Sequence, residues 1–409
     1  MVKKVLLGLN VNKSAGPDGI SAQVLKKCAS TLARPLRNLF YRSYSSGVFP
    51  SAWKVAQVQP VPKKGESSNP ANYRPIAICS LLSKVMETII NYRLMAYLEL
   101  NAFISDRQYG FRRNRSTGDL MAYLTEKWNR AIHGHGESKV VAFDITKAFD
   151  RVWHESQPMV SVIASCASFL QNRSIRVVID GFASNLKSIN AGVPQGSVLS
   201  PTLFLIFIND LLSLTANPIY SFADDSSLCH SYSFPRRPRN FEVADCRRNM
   251  NDSLNTDLQK IIDWGKQNRV DFNPNKTQSC LLTHKRVDGS DFRTRVAGVD
   301  VPLSDGLDIL GMQLQNDLNW DKHIFEIAKK AAQSIGLLKR CKKYFTPSDL
   351  RNIYISYIRP KMEYNSHIWA GASQSALQYL DRIQERAKRL IGDDEVSSSL
   401  SPLGHRRDV

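Results

Sequence analysis

Three acidic residues carry the strongest chemical signal in this chain. Asp144 closes the apolar run at residues 139–143, and Asp224 and Asp225 sit side by side between two further apolar stretches. Taken alone, an Asp-Asp pair is most often a solvated turn. Adjacent carboxylates at the end of a hydrophobic hairpin repel each other where water is scarce, and a divalent cation relieves that repulsion. Mg²⁺ suits such a place because it takes hard oxygen ligands and keeps open positions for water and phosphate. Two ions about 3.5–4 Å apart stabilise both the attacking and the leaving oxygen of an in-line phosphoryl displacement. The chemistry suggested is metal-assisted phosphoryl transfer.

The elements that must position these acids follow from local patterns. Residues 139–143 read as a short strand ending at Asp144, and 220–228 as two short strands joined at Ala223-Asp224-Asp225. Upstream, residues 13–20 are dense in turn formers and read as a loop. Residues 24–44 have helical spacing, with Leu32, Leu36, Leu39 and Phe40 on one side. Residues 53–61 alternate like a strand and then turn through Pro62-Lys63-Lys64-Gly65; residues 82–100 read as a helix. Ser200-Pro201 predicts a helix start, with Ser as cap and Pro in the first turn. Beyond residue 318 the texture is helical. Thr346-Pro347-Ser348-Asp349 has the pattern of a helix start, and Leu377, Leu380, Ile383, Ala387 and Leu390 form one apolar stripe. The Pro/Arg stretch at 234–240 reads as an exposed loop.

At 409 residues the chain has room for two or three structural units, and 43% hydrophobic content supports a sizeable core. Disordered, collagen-like and disulfide-scaffold classes are excluded. Lys plus Arg number 55 against 37 for Asp plus Glu, a net charge of +18 that favours a polyanionic partner. Residues 318–390 hold 14 Lys/Arg against 6 Asp/Glu, consistent with a separate, basic, all-helical domain. Seven dispersed cysteines without a C-x-x-C pair argue for small buried hydrophobes in a reducing compartment. His133, His135, His154 and His230 lack a partner at zinc spacing. No apolar run is long enough for a signal peptide or a membrane span, so the expectation is an intracellular protein, with nucleus and cytoplasm both open.

Several blocks occur in order. They are Asn72-Tyr73-Arg74-Pro75-Ile76, Gln108-Tyr109-Gly110-Phe111-Arg112, Ala142-Phe143-Asp144-Ile145 through Ala148-Phe149-Asp150, Val193-Pro194-Gln195-Gly196, Phe222-Ala223-Asp224-Asp225, Asn273-Pro274-Asn275-Lys276-Thr277 and the Leu310-Gly311 step. Together they resemble the reverse transcriptases of non-LTR, LINE-type retrotransposons of the insect jockey-like kind, from about residue 13 to residue 390.

That resemblance implies an α+β fold: a right-hand polymerase with fingers and an antiparallel palm sheet over 1–317 (core about 53–317), a helical basic thumb over 318–392 and a truncated tail over 393–409. It implies an RNA-directed DNA polymerase that adds dNTPs to a DNA primer on an RNA template, using two Mg²⁺ ions with Mn²⁺ as the alternative. Asp144, Asp224 and Asp225 become the metal-binding catalytic residues, aided by the Ile145 carbonyl. Phe149 matches the ring that excludes a ribose 2′-hydroxyl; otherwise it is ordinary core. Gln195 matches a nucleotide contact, and Lys63, Arg74 and Lys276 match residues that meet the triphosphate. Lys276 is also a candidate general acid for the leaving pyrophosphate. Gly311 belongs where the primer end is gripped. Arg112, Arg113 and Arg115, with Lys339, Arg340, Lys342 and Lys343, would track the heteroduplex backbone.

The chain departs from the family pattern in three ways. The passage from His154 to Gly181 is short, and Gln157-Pro158-Met159 is abrupt, as if residues were lost. The resemblance implies an endonuclease ahead of this region, which residues 1–12 are too few to encode, and the phrase at 403–409 is expected to continue onward, with no zinc knuckle or RNase H segment within residues 1–409. These departures suggest a fragment of a longer polyprotein, and an alternative reading in which a catalytically silent relic only binds nucleic acid. The sequence does not indicate an oligomeric state.

Overall fold

A computed structural model describes residues 1–63, 65–156, 164–285 and 293–407. The abrupt step Gln157-Pro158-Met159 therefore lies outside the described residues, as does Lys64. The fold is mixed helix and sheet, and divides into two compact units. One gathers residues 1–111, 145–215 and 260–272; the other gathers 112–144, 216–259 and 273–409.

In the first unit, β1 (Val55–Pro62) pairs antiparallel with β2 (Tyr73–Ile78) and parallel with β4 (Arg173–Ile179). β4 also carries the short strands β5 (Phe182–Ala183) and β6 (Lys187–Ile189). The alternation read at 53–61 is this β1, with Ala56 and Val58 buried. Trp53 ends the preceding turn, where its ring meets Phe40 and Phe49 edge-on at 6.0 Å; Phe49 in turn meets Phe169 at 5.1 Å. The helix expected over 24–44 is two helices, Ala22–Lys27 and Ala29–Ser46, broken at Cys28. Leu36 and Phe40 face the core, but Leu39 is 43% exposed. Helix Leu81–Leu100 begins at Ser80, whose hydroxyl oxygen accepts from the amides of Leu82 and Ser83. Helix Ser200–Ile208 is almost wholly buried, and Pro201 lies in its first turn as expected. Ser200 is not its cap, however: the hydroxyl donates to the Pro194 carbonyl at 2.8 Å, and Leu199 takes the cap position. A preceding loop that folds back gives the Ser hydroxyl an acceptor for its proton, and the helix starts at Ser200 itself.

The second unit is built on the sheet β7-β8-β3-β9, formed by β7 (Ile219–Phe222), β8 (Asp225–Tyr232), β3 (Glu137–Phe143) and β9 (Gln278–Leu282). Its pairings are antiparallel, and β3 lies in the interior between β8 and β9. Helix Thr117–His133, opened by a Ser116/Asp119 capping box, packs on β3 with Trp128, Met121 and Leu124 fully buried. Two charged residues of β3 are also buried. Glu137 accepts a two-pronged contact from Arg247 (2.7 and 2.8 Å), along with the hydroxyls of Thr283 (2.6 Å) and Tyr232 (2.5 Å). Lys139 donates to Asn251 at 2.7 Å, and burial pushes its ammonium down to about 8.

Two hairpins absent from the sequence reading follow: β10 (Thr294–Val296) with β11 (Val299–Val301), and β12 (Gly306–Ile309) with β13 (Met312–Gln315). The expected helical C-terminal texture is present. Helix Asp321–Cys341 packs against helix Gln374–Ile391, which buries the whole stripe of Leu377, Leu380, Ile383, Ala387 and Leu390. Thr346 and Asp349 form a reciprocal capping box for helix Pro347–Ile353. Four of the seven cysteines are buried; Cys246 and Cys341 are half-buried and Cys28 is exposed. Among the described residues no helix is long and apolar enough to cross a membrane.

Candidate active site

The central acids are placed by strand register. β3 ends at Phe143, which pairs with Ser226 of β8, so the next step outward sets Asp144 opposite Asp225. β7 and β8 turn through Ala223 and Asp224, with Phe222 paired to Asp225. Ala223 takes a positive φ of 59°, a conformation that costs a non-glycine residue energy and recurs at functional sites. Burial first, then the Asp224 and Asp144 carboxylates, push the Asp225 carboxyl up to about 6, while Lys276 opposes the rise. Asp225 still opens to solvent. A hydrated carboxyl feels burial weakly, so we rest the rise chiefly on the two like charges.

Lys276 reaches this group from the turn before β9. The Asn273 amide donates to the Asp144 carbonyl at 3.2 Å, the Thr277 amide closes the turn onto the Asn273 carbonyl at 3.1 Å, and Lys276 Nζ stands 3.1 Å from Asp144 Oδ2. Asp144 is thus drawn to the ammonium. Among the described residues no three His, Cys, Asp or Glu side chains form a ready-made metal cage. The donor set nevertheless fits a hard divalent ion: three carboxylates, two of which lift the pKa of the third, held at the end of an apolar sheet.

A cavity of about 470 Å³ opens over Asp144 and Asp225. Its walls include Lys276, Gln278, Asp308, Gly311 and Tyr364. The turn from β12 to β13 consists of Leu310 and Gly311, with φ of 50° and 79°. Positive φ at both central residues is the hairpin geometry whose twist matches antiparallel strands. Leu310 is a strained occupant, because a branched side chain rarely adopts that backbone. Its carbonyl lies 3.1 Å from the Tyr364 hydroxyl, which is also 3.1 Å from Thr117 Oγ1. Gln278 and the Asp308 backbone exchange two hydrogen bonds, of 3.1 and 2.7 Å. Asp308, Tyr364, Gln278 and Thr117 were missed in the sequence, where nothing local distinguishes them.

The remaining expected residues fall as follows. Arg112, Arg113 and Arg115 lie just before helix Thr117–His133, and Lys339, Arg340, Lys342 and Lys343 are exposed at the end of helix Asp321–Cys341; all belong to the second unit. In the first unit, Ile145 is buried and bridged to Phe272. Phe149 is half-buried, stacked on Phe204 at 5.0 Å and edge-on to Phe111 at 6.0 Å. Lys63 and Arg74 are exposed on the β1–β2 hairpin. Gln195 donates from Nε2 to Asp150 Oδ1 at 2.9 Å. Two of the histidines face amide oxygens: His154 lies 2.8 Å from the Gly192 carbonyl and His230 lies 2.7 Å from Asn217 Oδ1.

The family described as reverse transcriptase (RNA-dependent DNA polymerase) matches residues 61–314, well over half of the chain and inclusive of the three acids, Lys276 and Gly311. The chain belongs to the reverse transcriptase family. Relatives of the chain include three Drosophila melanogaster proteins. One, named "Probable RNA-directed DNA polymerase from transposon X-element", is 27% identical over 95% of the chain and 43% of its own length. The corresponding protein of transposon BS is 27% identical over 96% of the chain and 44% of its own length. The "RNA-directed DNA polymerase from mobile element jockey" is 26% identical over 95% and 43%. The chain therefore spans under half the length of the curated relatives it matches.

Proposed function

We propose that this chain is the RNA-directed DNA polymerase of a non-LTR retrotransposon, extending a DNA primer with dNTPs on an RNA template. The observation that carries this reading is the register that sets Asp144 opposite Asp225, beside Asp224 and within reach of Lys276, in a chain of this family. Residues 1–317 would then be fingers and palm, 318–392 the thumb and 393–409 a short tail.

Asp144, Asp224 and Asp225 would hold two Mg²⁺ ions, with the Ile145 carbonyl as a further oxygen. Bound there, such ions neutralise phosphate charge and lower the barrier to in-line displacement at the α-phosphorus. The chain's own groups do the rest. Lys276 presents an ammonium that exchanges Asp144 for a phosphate oxygen and hands a proton to departing pyrophosphate. Lys63 and Arg74 meet the triphosphate, Arg as a planar fork and Lys as a point charge. Phe149 presents a ring edge under the sugar and denies space to a 2′-hydroxyl, and Gln195 contacts the incoming nucleotide. The Leu310-Gly311 turn, propped by Tyr364, bears on the primer end. Arg112, Arg113, Arg115, Lys339, Arg340, Lys342 and Lys343 bind backbone phosphates with an affinity that falls with salt.

Primer extension with purified protein, poly-rA template, oligo-dT primer and Mg²⁺ tests the proposal. Incorporation that disappears when Asp224 and Asp225 are changed to Asn supports it. Incorporation that persists in that variant overturns the site assignment. Salt-dependent template binding without synthesis would favour the silent-relic alternative.

A further inference from the structure

Glu87 is a fully buried carboxylate in helix Leu81–Leu100 with no part in the chemistry above. A charged group on the apolar side of a helix is rare unless its acceptor capacity is filled. Here it is filled by four donors. The Ser83 hydroxyl donates to Oε1 at 2.6 Å. The Ser197 hydroxyl and the amides of Val198 (2.8 Å) and Leu199 (3.4 Å) all converge on Oε2. Three of the four come from the segment immediately after Pro194-Gln195-Gly196.

The same segment is fastened at its other end. The Ala77 amide of β2 donates to the Gln195 carbonyl at 2.7 Å, and the Gln195 side chain is held by Asp150. Gly196 has φ of 134°, and a Cβ there would collide with the Ala77 carbonyl oxygen, so the backbone passes β2 at a distance only glycine permits. Gln195 thus sits on a short span tied down by β2 on one side and by Glu87 on the other. An ionised carboxylate oxygen only accepts, whereas an amide nitrogen at that place would set hydrogens against the incoming donors.

We propose that Glu87 is a positioning residue for nucleotide binding: by gripping Ser197, Val198 and Leu199 it holds the Gln195 amide where the incoming dNTP is met. The inference rests on the polymerase reading. Glu87 also stands at the start of helix Ser200–Ile208, which has no side-chain cap of its own, so a purely structural role is the competing explanation.

Steady-state primer extension separates the two. Glu87→Gln keeps the shape and should raise the KM for dTTP about tenfold or more while kcat changes far less and primer–template affinity stays constant. Glu87→Asp, which restores the carboxylate, should recover part of that loss. Hydrogen exchange should show faster exchange at the amides of 198 and 199 in Glu87→Gln. If that variant does not fold, Ser197→Ala removes one donor and should raise the dTTP KM in the same direction, by a few-fold. A folded Glu87→Gln protein with an unchanged dTTP KM and a lowered kcat would overturn the inference and leave the polymerase reading standing. Wild-type protein that extends no primer would sink both, and is told apart because it involves no substitution at Glu87.

Discussion

Lys276 Nζ and Asp144 Oδ2 stand 3.1 Å apart, across 132 positions of sequence, with Lys276 on the turn whose Asn273 amide is tied to the Asp144 carbonyl. The ammonium is therefore delivered to the acid by backbone bonding and not by a flexible reach alone. Lys276→Ala should lower kcat for primer extension on the order of 10²-fold, the usual worth of a positioned acid. Lys276→Arg should retain binding of dNTP but recover little of kcat, because a guanidinium does not release a proton near neutral pH. Single-turnover extension measures both.

Removing a like charge should change how the protein responds to metal. In Mg²⁺-free buffer, Asp225→Asn should melt at a slightly higher temperature than wild type, since Asp144 and Asp224 both disfavour its ionised form. Added Mg²⁺ should raise the wild-type melting temperature and leave the Asp224→Asn, Asp225→Asn double variant unmoved. A double variant that gains as much as wild type would place the ion elsewhere.

Glu137 holds the second unit together from inside its sheet. Its side chain is fully buried while Arg247 retains 14% exposure, so truncation strands a guanidinium with little water around it. Glu137→Ala should cost about 3–5 kcal/mol of stability in urea unfolding. Burial alone would raise this carboxyl, but hydrogen bonds from Arg247, Thr283 and Tyr232 outweigh it and leave it below its ordinary 4.5. The unfolded chain then takes up a proton first as the solution is acidified. The stabilisation should be complete above pH 4.5 and fade below it.

His323 should act at milder acidity. It is 3% exposed; burial foremost, with help from Lys330, lowers its imidazole from 6.5 to about 4 despite Asp308. Between those limits the unfolded chain binds a proton that the folded chain refuses. Stability should fall by up to about 1.4 kcal/mol per pH unit as pH drops from 6.5 towards 4. His323→Gln should flatten that slope in urea titrations run at successive pH values.

What could be read in the sequence was what local physics writes there. The apolar run into Asp144 and the doublet at 224–225 announce a strand end and a turn, and antiparallel register does the rest. The Thr346 capping box and the stripe from Leu377 to Leu390 are equally local. Where partners are distant, local rules fail. Ser200 has the look of a cap but spends its hydroxyl on Pro194. Cys28 interrupts a helix that spacing alone would continue. Asp308 and Tyr364 reach the cavity only because β12, β13 and the C-terminal helices fold over it. Glu87 left a faint trace, an acid three residues before Ile90 and seven before Leu94 on a buried stripe, yet three of its four donors lie 110 to 112 positions away.

The interior place of β3 has an evolutionary corollary. Residues 138–142, five of its seven, are paired along both flanks, so a copy of the gene that gained or lost a single codon within 137–143 could not absorb the change at an edge. Every side chain downstream of the lesion would swap faces, delivering Val140 or Val141 to the wrong layer and Asp144 out of step with its partner strand. Such a copy would keep the codons for Asp144, Asp224 and Asp225 and still lose the register that sets Asp144 opposite Asp225.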